Sequence, residues 1–97
     1  MTVEFHPEAE LELLDSIDYY ETRQPGLGEA FSLEVQATVH NIQFYPGTWP
    51  ILEGKVRRCL VHRFPYGVLY AEEPGKILVL GIMHLHRKPG YWKSRQD

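Results

Sequence analysis

A chain of 97 residues and 11.3 kDa is the length of one domain, residues 1–97, with a core that is real but small. Its 43% hydrophobic and 24% charged residues exclude a disordered chain, no apolar run approaches the roughly 18 residues of a membrane span, and the lone Cys59 excludes an internal disulfide. The net charge of −3 hides a polarity: residues 1–53 carry ten acidic side chains and one basic (Arg23), a balance of −9, while residues 54–97 carry nine basic and three acidic, a balance of +6.

The opening "MTVEFHPEAE" has no basic-then-apolar leader, so a cytoplasmic protein is expected. Within it "TVEFH" alternates Val3 and Phe5 with polar neighbours, which predicts a short strand. Pro7 then stands where a helix begins, with Glu8 and Glu10 in the first turn to complement the helix dipole. Leu13, Ile17 and Tyr20 recur at helical spacing and, with Leu14, predict one buried stripe. "RQPG" ends this helix, because proline cannot continue the hydrogen-bond ladder. A second helix starts at about Leu27, its apolar face made by Phe31, Val35, Val39 and Ile42, and "YPGTWP" stops it. Two such helices across a short break predict an antiparallel hairpin, with the acidic residues mostly on its outer faces.

After Pro50 the period becomes strand-like. "KVRRCLVHRF" places Val56, Arg58, Leu60 and His62 on one face and Arg57, Cys59, Val61 and Arg63 on the other. "YGVLYAE" is a second strand, "EEPGK" a hairpin turn, and "ILVLGIMHLH" a third strand apolar enough to lie centrally. Short connections predict an antiparallel meander. The fold class is therefore α+β, in the order strand, helix, helix, three strands.

The chemistry-bearing residues gather late in the chain. His84 and His86 share one strand face, but a zinc site wants three or four ligands and no supporting pattern exists, so neither metal nor cofactor is expected. Cys59 reads as a core thiol. "PGLGEAF" lacks the lysine of a phosphate loop and shapes the helix start. What remains is a cluster of cations and aromatics: Arg57, Arg58, Arg63, Tyr66, His84, His86, Arg87, Lys88, Tyr91 and Trp92, followed by Lys93 and Arg95. Such groups can clamp phosphates, stack on bases and move protons, and a metal-free ribonuclease needs little more. The aromatics taken alone read as packing residues; the whole cluster, in a half carrying +6, reads as an interaction surface. The two oppositely charged halves could instead neutralise each other across a packed interface, and the sequence leaves both readings open.

The segments "FHPEAELELLDSIDYYE", "PGLGEAFSLEVQ", "VRRCLVHRFPYGVLY" and "HRKPGYW" together resemble the RelE/ParE superfamily of bacterial toxins, many of them labelled plasmid stabilisation proteins. The resemblance covers nearly the whole chain and is most specific in the last two segments. It implies an N-terminal strand and a helical hairpin packed on an antiparallel β-meander, and a toxin of a type II toxin–antitoxin system neutralised by a cognate antitoxin. A homodimer or a toxin–antitoxin hetero-oligomer is the assembly expected. RelE-like members cut messenger RNA on the ribosome. Arg58, Arg87 and Tyr91 are the nearest matches to their set, Arg63 would help hold the phosphate, and His84 or His86 would move protons, while Gly67 stands where RelE has an arginine. ParE-like members inhibit DNA gyrase without a catalytic set, and "RRC", the His84 strand ending and the long hairpin look like theirs. The expected function is ParE-like inhibition of a target such as gyrase, with Arg57, Tyr66, His86, Lys88, Trp92, Lys93 and Arg95 on the binding surface. The alternative is a ribosome-dependent messenger RNA endonuclease.

Overall fold

Strand β1 (Thr2–Phe5) leads through His6 into helix α1 (Pro7–Arg23) in the computed structural model, which describes residues 1–96. Three features start this helix. Pro7 occupies the first helical position, where its missing N–H costs nothing; His6 Nδ1 accepts the Glu8 N–H at 3.1 Å; and Glu8 and Glu10 place negative charge at the positive end of the helix dipole. Helix α2 (Leu27–Phe44) begins after Gly26, whose φ of 89° turns the chain but which has no side chain to cap the new helix. Glu21 of α1 supplies the cap, accepting the N–H groups of Gly26 at 2.9 Å and Gly28 at 3.0 Å. The start of one helix is thus satisfied by the last turns of the other, which closes the hairpin.

Four strands follow: β2 (Ile51–Glu53), β3 (Val56–Leu60), β4 (Tyr66–Glu73) and β5 (Lys76–His84), and then a 3₁₀ turn at Lys93–Arg95. The sheet order is β1-β5-β4-β3-β2. The meander pairs antiparallel as expected, whereas β1 joins β5 in parallel, with Thr2 opposite Lys76 and Phe5 opposite Val79, so the five-stranded sheet is mixed. The short edge strand β2 lies within a segment that the sequence marked only as the change of period.

Two expectations are corrected. The strand expected over "KVRRCLVHRF" stops at Leu60, because the chain turns through Arg63, which sits in the left-handed region at φ 75°. Leu14 is 54% exposed rather than buried, since it lies one residue round the helix from Leu13 and faces away from the sheet. Leu13, Ile17 and Tyr20 do pack against the core, as do Phe31, Val35, Val39 and Ile42 of α2.

The core lies on both faces of the sheet. Under the helical hairpin, Cys59, Val61, Tyr66, Val68, Tyr70, Ile77, Val79 and Ile82 meet the helices. On the other face, Val56, Leu69, Ala71, Leu80 and Met83 are covered by the C-terminal segment through Trp92. Strand β4 is consequently buried from Tyr66 to Ala71 without alternation, as befits a strand covered on both sides. The tail that the sequence suggested as a working surface is in part a second layer of core, with Trp92 only 1% exposed. Trp92→Ala is expected to cost about 3–5 kcal/mol. Urea unfolding should show this as a lower midpoint with little change in slope, and an unchanged midpoint would mean the tail is not core.

Candidate functional site

The site begins with a defect in β5. Its register against β4 shifts between the pairs Leu69–Gly81 and Tyr70–Val79, which leaves Leu80 as a bulged residue. Strand β1 has already ended opposite Val79, so beyond that point this edge of β5 lacks a neighbouring strand. Side chains take over. The Ile82 N–H donates to Glu12 Oε1 at 3.0 Å, and the Leu80 carbonyl accepts from Arg95 Nη1 at 3.0 Å. Arg95 and Glu12 also bind each other in bidentate fashion, at 3.0 and 2.9 Å, with their side chains only 10% and 14% exposed.

Gly81 makes this approach possible. A Cβ there would crowd the Tyr91 hydroxyl oxygen at 3.1 Å and sit in contact with Glu12 Oε1 at 3.5 Å, so a side chain would displace the hydroxyl by a few tenths of an ångström. Two guanidinium groups lie over the Tyr91 ring, Arg87 at 4.2 Å and Arg95 at 4.9 Å from its centroid. Its hydroxyl is buried and, among the described residues, finds no hydrogen-bond partner. Burial, and then the negative charge of Glu12, push the phenol above its ordinary pKa, so it stays protonated at neutral pH.

Arg87 reaches out from this base. Its side chain is 54% exposed and its Nη1 lies 3.9 Å from Glu12 Oε2. It lines a cleft of about 260 Å³ together with Arg58 of β3, the apolar Leu52, Met83, Leu85 and Pro89, and Glu53, which pairs with Lys93 at 3.0 Å. Arg58 lies flat across β4 because Gly67 leaves room: a Cβ on Gly67 would stand 2.9 Å from Arg58 Cγ and Cδ. Among the described residues Arg58 has no carboxylate partner, so the cleft presents two cations between apolar walls. It can receive an anionic group attached to an apolar body.

The other sequence-predicted residues are dispersed. His84 stands opposite Tyr66 in the β4–β5 register, with ring centroids 5.2 Å apart, on the helix side of the sheet and away from Arg58. The exposed His86 sits 5.3 Å from His84 and donates its N–H to His84 Nδ1 at 3.1 Å. Arg63 lies in the left-handed loop over the Phe64 ring at 5.3 Å, and Arg57 Nη1 donates to the Trp49 carbonyl at 2.6 Å. Lys88 is exposed, whereas Tyr66 and Trp92 are core and Arg95 is occupied by Glu12. Of the whole cluster, Arg58 and Arg87 line one cleft with Trp92 at its floor, and Tyr66 and His84 line another on the helix side.

Sequence reasoning missed Glu12, which it placed among outward-facing acidic residues. A signal was present: Glu12 lies three residues after the buried Ala9 and beside Leu13, a carboxylate at the margin of an apolar stripe. The cleft walls Leu52 and Leu85 carried no such signal.

Comparison with known proteins comes from two sources. The family model described as "ParE toxin of type II toxin-antitoxin system, parDE" matches residues 3–89. Among solved structures, a chain from "Chromosomal ParDE TA system from P. aeruginosa" aligns with a TM-score of 0.65 and 20% identity, covering 89% of this chain and 97% of that one; at this identity the likeness shows the fold. No curated protein matches.

Two outcomes follow from the geometry. Glu12→Ala should destabilise the protein by about 3 kcal/mol, because it leaves Arg95 buried without its partner and the Ile82 N–H unsatisfied; denaturant unfolding measures it. Burial pushes the Cys59 thiol up to about 11. At pH 8 about one thiol in a thousand is then ionised, and native protein should resist iodoacetamide while unfolded protein reacts within minutes.

Proposed function

The chain belongs to the ParE family of type II toxin–antitoxin toxins, and on that premise we propose that it arrests growth in the cytoplasm by binding DNA gyrase, under the control of a cognate antitoxin. The observation that carries this reading over a nuclease is the separation of the groups that RNA cleavage would need. Arg58 and Arg87 lie in the cleft on the tail side, whereas His84 is on the helix side, with the sheet between. Tyr91 is held protonated with a buried hydroxyl, and Arg95 is bound to Glu12. A cleavage reaction requires a base within hydrogen-bond reach of the 2′-OH and an acid near the leaving oxygen, and the cleft's own titratable side chains are two arginines and the ion-paired Glu53. A binder asks for less. Arg58, Arg87 and the exposed Lys88 supply charge that steers and orients an anionic partner, and Leu52 and Leu85 supply apolar contact.

A second reading keeps one favourable observation: two guanidinium groups in one cleft can also clamp a phosphodiester, as messenger RNA cleavage on the ribosome would use them. Membership of the family also implies the antitoxin, and the outer surface of the hairpin leaves Leu11, Leu14 and Leu33 exposed for a segment that folds on contact.

Induced expression with and without the antitoxin gene decides between the readings. Arrest accompanied by lost DNA supercoiling, intact messages and rescue by the antitoxin is the expected result, and new messenger RNA ends with normal supercoiling would overturn it. With purified gyrase, Arg58→Ala and Arg87→Ala should each weaken inhibition by about tenfold.

A further inference from the structure

We infer that Tyr91 is the positioning residue for Arg87, a ring anchored by the Glu12–Arg95 pair that fixes the guanidinium the cleft presents. The inference rests on the reading above, in which that cleft meets the target.

Arg87 follows the end of β5, where the chain turns away from the sheet, and its side chain is half exposed. An arginine so placed ordinarily samples many rotamers, and ordering it on binding costs conformational entropy. Here two contacts order it beforehand: the Tyr91 ring at 4.2 Å and the Glu12 carboxylate at 3.9 Å. Tyr91 is itself fixed at two places. The ring is in contact with Arg95, which both oxygens of Glu12 and the Leu80 carbonyl hold, and its hydroxyl end abuts Gly81. The line of constraint therefore runs from the β5 bulge to Glu12 and Arg95, then to Tyr91, then to Arg87. The ring face is the part of Tyr91 that meets Arg87, while its hydroxyl lies at Gly81 and in the field of Glu12. Glu12 belongs to α1, so the helical half of the protein governs a cation on the far side of the sheet edge.

A purely structural Tyr91 predicts something different: lost stability on truncation, with no special effect on Arg87 once the folded fraction is matched. The test uses the full chain, prepared with its antitoxin and then separated from it. Stacked over the ring, the Arg87 side-chain protons should be shifted upfield by the ring current, and Tyr91→Phe should preserve that shift while Tyr91→Leu abolishes it. Half-inhibition of purified gyrase supercoiling should stay near wild type for Tyr91→Phe and rise about fivefold for Tyr91→Leu, within the range of a cation–π contact. Glu12→Gln is a second variant, used where Tyr91→Leu does not fold; it loosens the anchor, so the Tyr91 ring signals and the Arg87 signals should move together, and Arg87 signals that move while the ring stays in place would overturn the inference. A folded Tyr91→Leu that keeps the Arg87 shift, or that inhibits like wild type while Arg87→Ala fails to inhibit, would overturn the inference. Arg87→Ala that inhibits like wild type would instead overturn the cleft reading, and the proton shifts would then decide the positioning alone.

Discussion

Past Val79 the edge of β5 has no partner strand, and two side chains complete it. Glu12 accepts the Ile82 N–H that a neighbouring strand would have taken, and Arg95 donates to the Leu80 carbonyl. An unpaired buried backbone group costs about 1–3 kcal/mol, so this edge needs an answer, and the answer comes from the two ends of the chain. Glu12 arrives on α1 near the N-terminus and Arg95 in the last turn. Their mutual pairing then has a consequence beyond the edge: it sets where the C-terminal segment lands. Apolar contact by Trp92 could tolerate small slides of the tail along the sheet, whereas a bidentate ion pair with a backbone bond on each partner tolerates very little.

Once the tail is fixed, the sheet gains a second core face, and a chain this short needs one. The hairpin alone would leave Val56, Leu69, Ala71, Leu80 and Met83 facing water. Covering them with a dozen residues of irregular chain spends little sequence on the task, and the geometry creates the cleft as a by-product. Between β2 and the tail the cover is incomplete, and there Arg58 and Arg87 stand beside Leu52 and Leu85. The candidate site is thus the margin of a core layer, which explains why its cations have apolar neighbours.

The elements of the fold were legible because they rest on local rules: helix periodicity, Pro7 at a helix start, Pro-Gly turns and strand alternation. Less legible was whatever depends on contacts far apart in sequence. The parallel docking of β1 on β5 joins residues more than seventy apart, and no local pattern announces it. The tail misled for a related reason. Tyr91, Trp92 and Arg95 have the composition of an exposed recognition segment, yet the first two pack on a sheet face and the third on a helix carboxylate. Polarity in a list of residues cannot tell an arginine that waits for a partner from one already bound by its own chain. Arg58 was expected within a cation cluster, but its place in a cleft depends on the room over Gly67, which only the cross-strand register provides.

The charge polarity between the halves resolves along the same line. Lys76 pairs with Glu4, Lys93 with Glu53 and Arg95 with Glu12, so part of the basic half neutralises part of the acidic half across tertiary contacts. Neutralisation is uneven, however. The pairs to Lys76 and Lys93 are exposed and worth little to stability in water, while the Glu12–Arg95 pair is buried and structural. Arg58 and Lys88 remain without carboxylate partners among the described residues, and Arg87 touches Glu12 only at 3.9 Å. The halves therefore bind each other at the sheet edges, while of the cations left over Arg58 and Arg87 meet in one cleft and Arg57 and Arg63 stand apart from it. A surface made of leftovers from internal pairing has a specific dependence. Any change that frees Arg95 from Glu12 adds a cation beside the cleft and loosens the segment that carries Arg87, so charge and order at this site move in opposite directions.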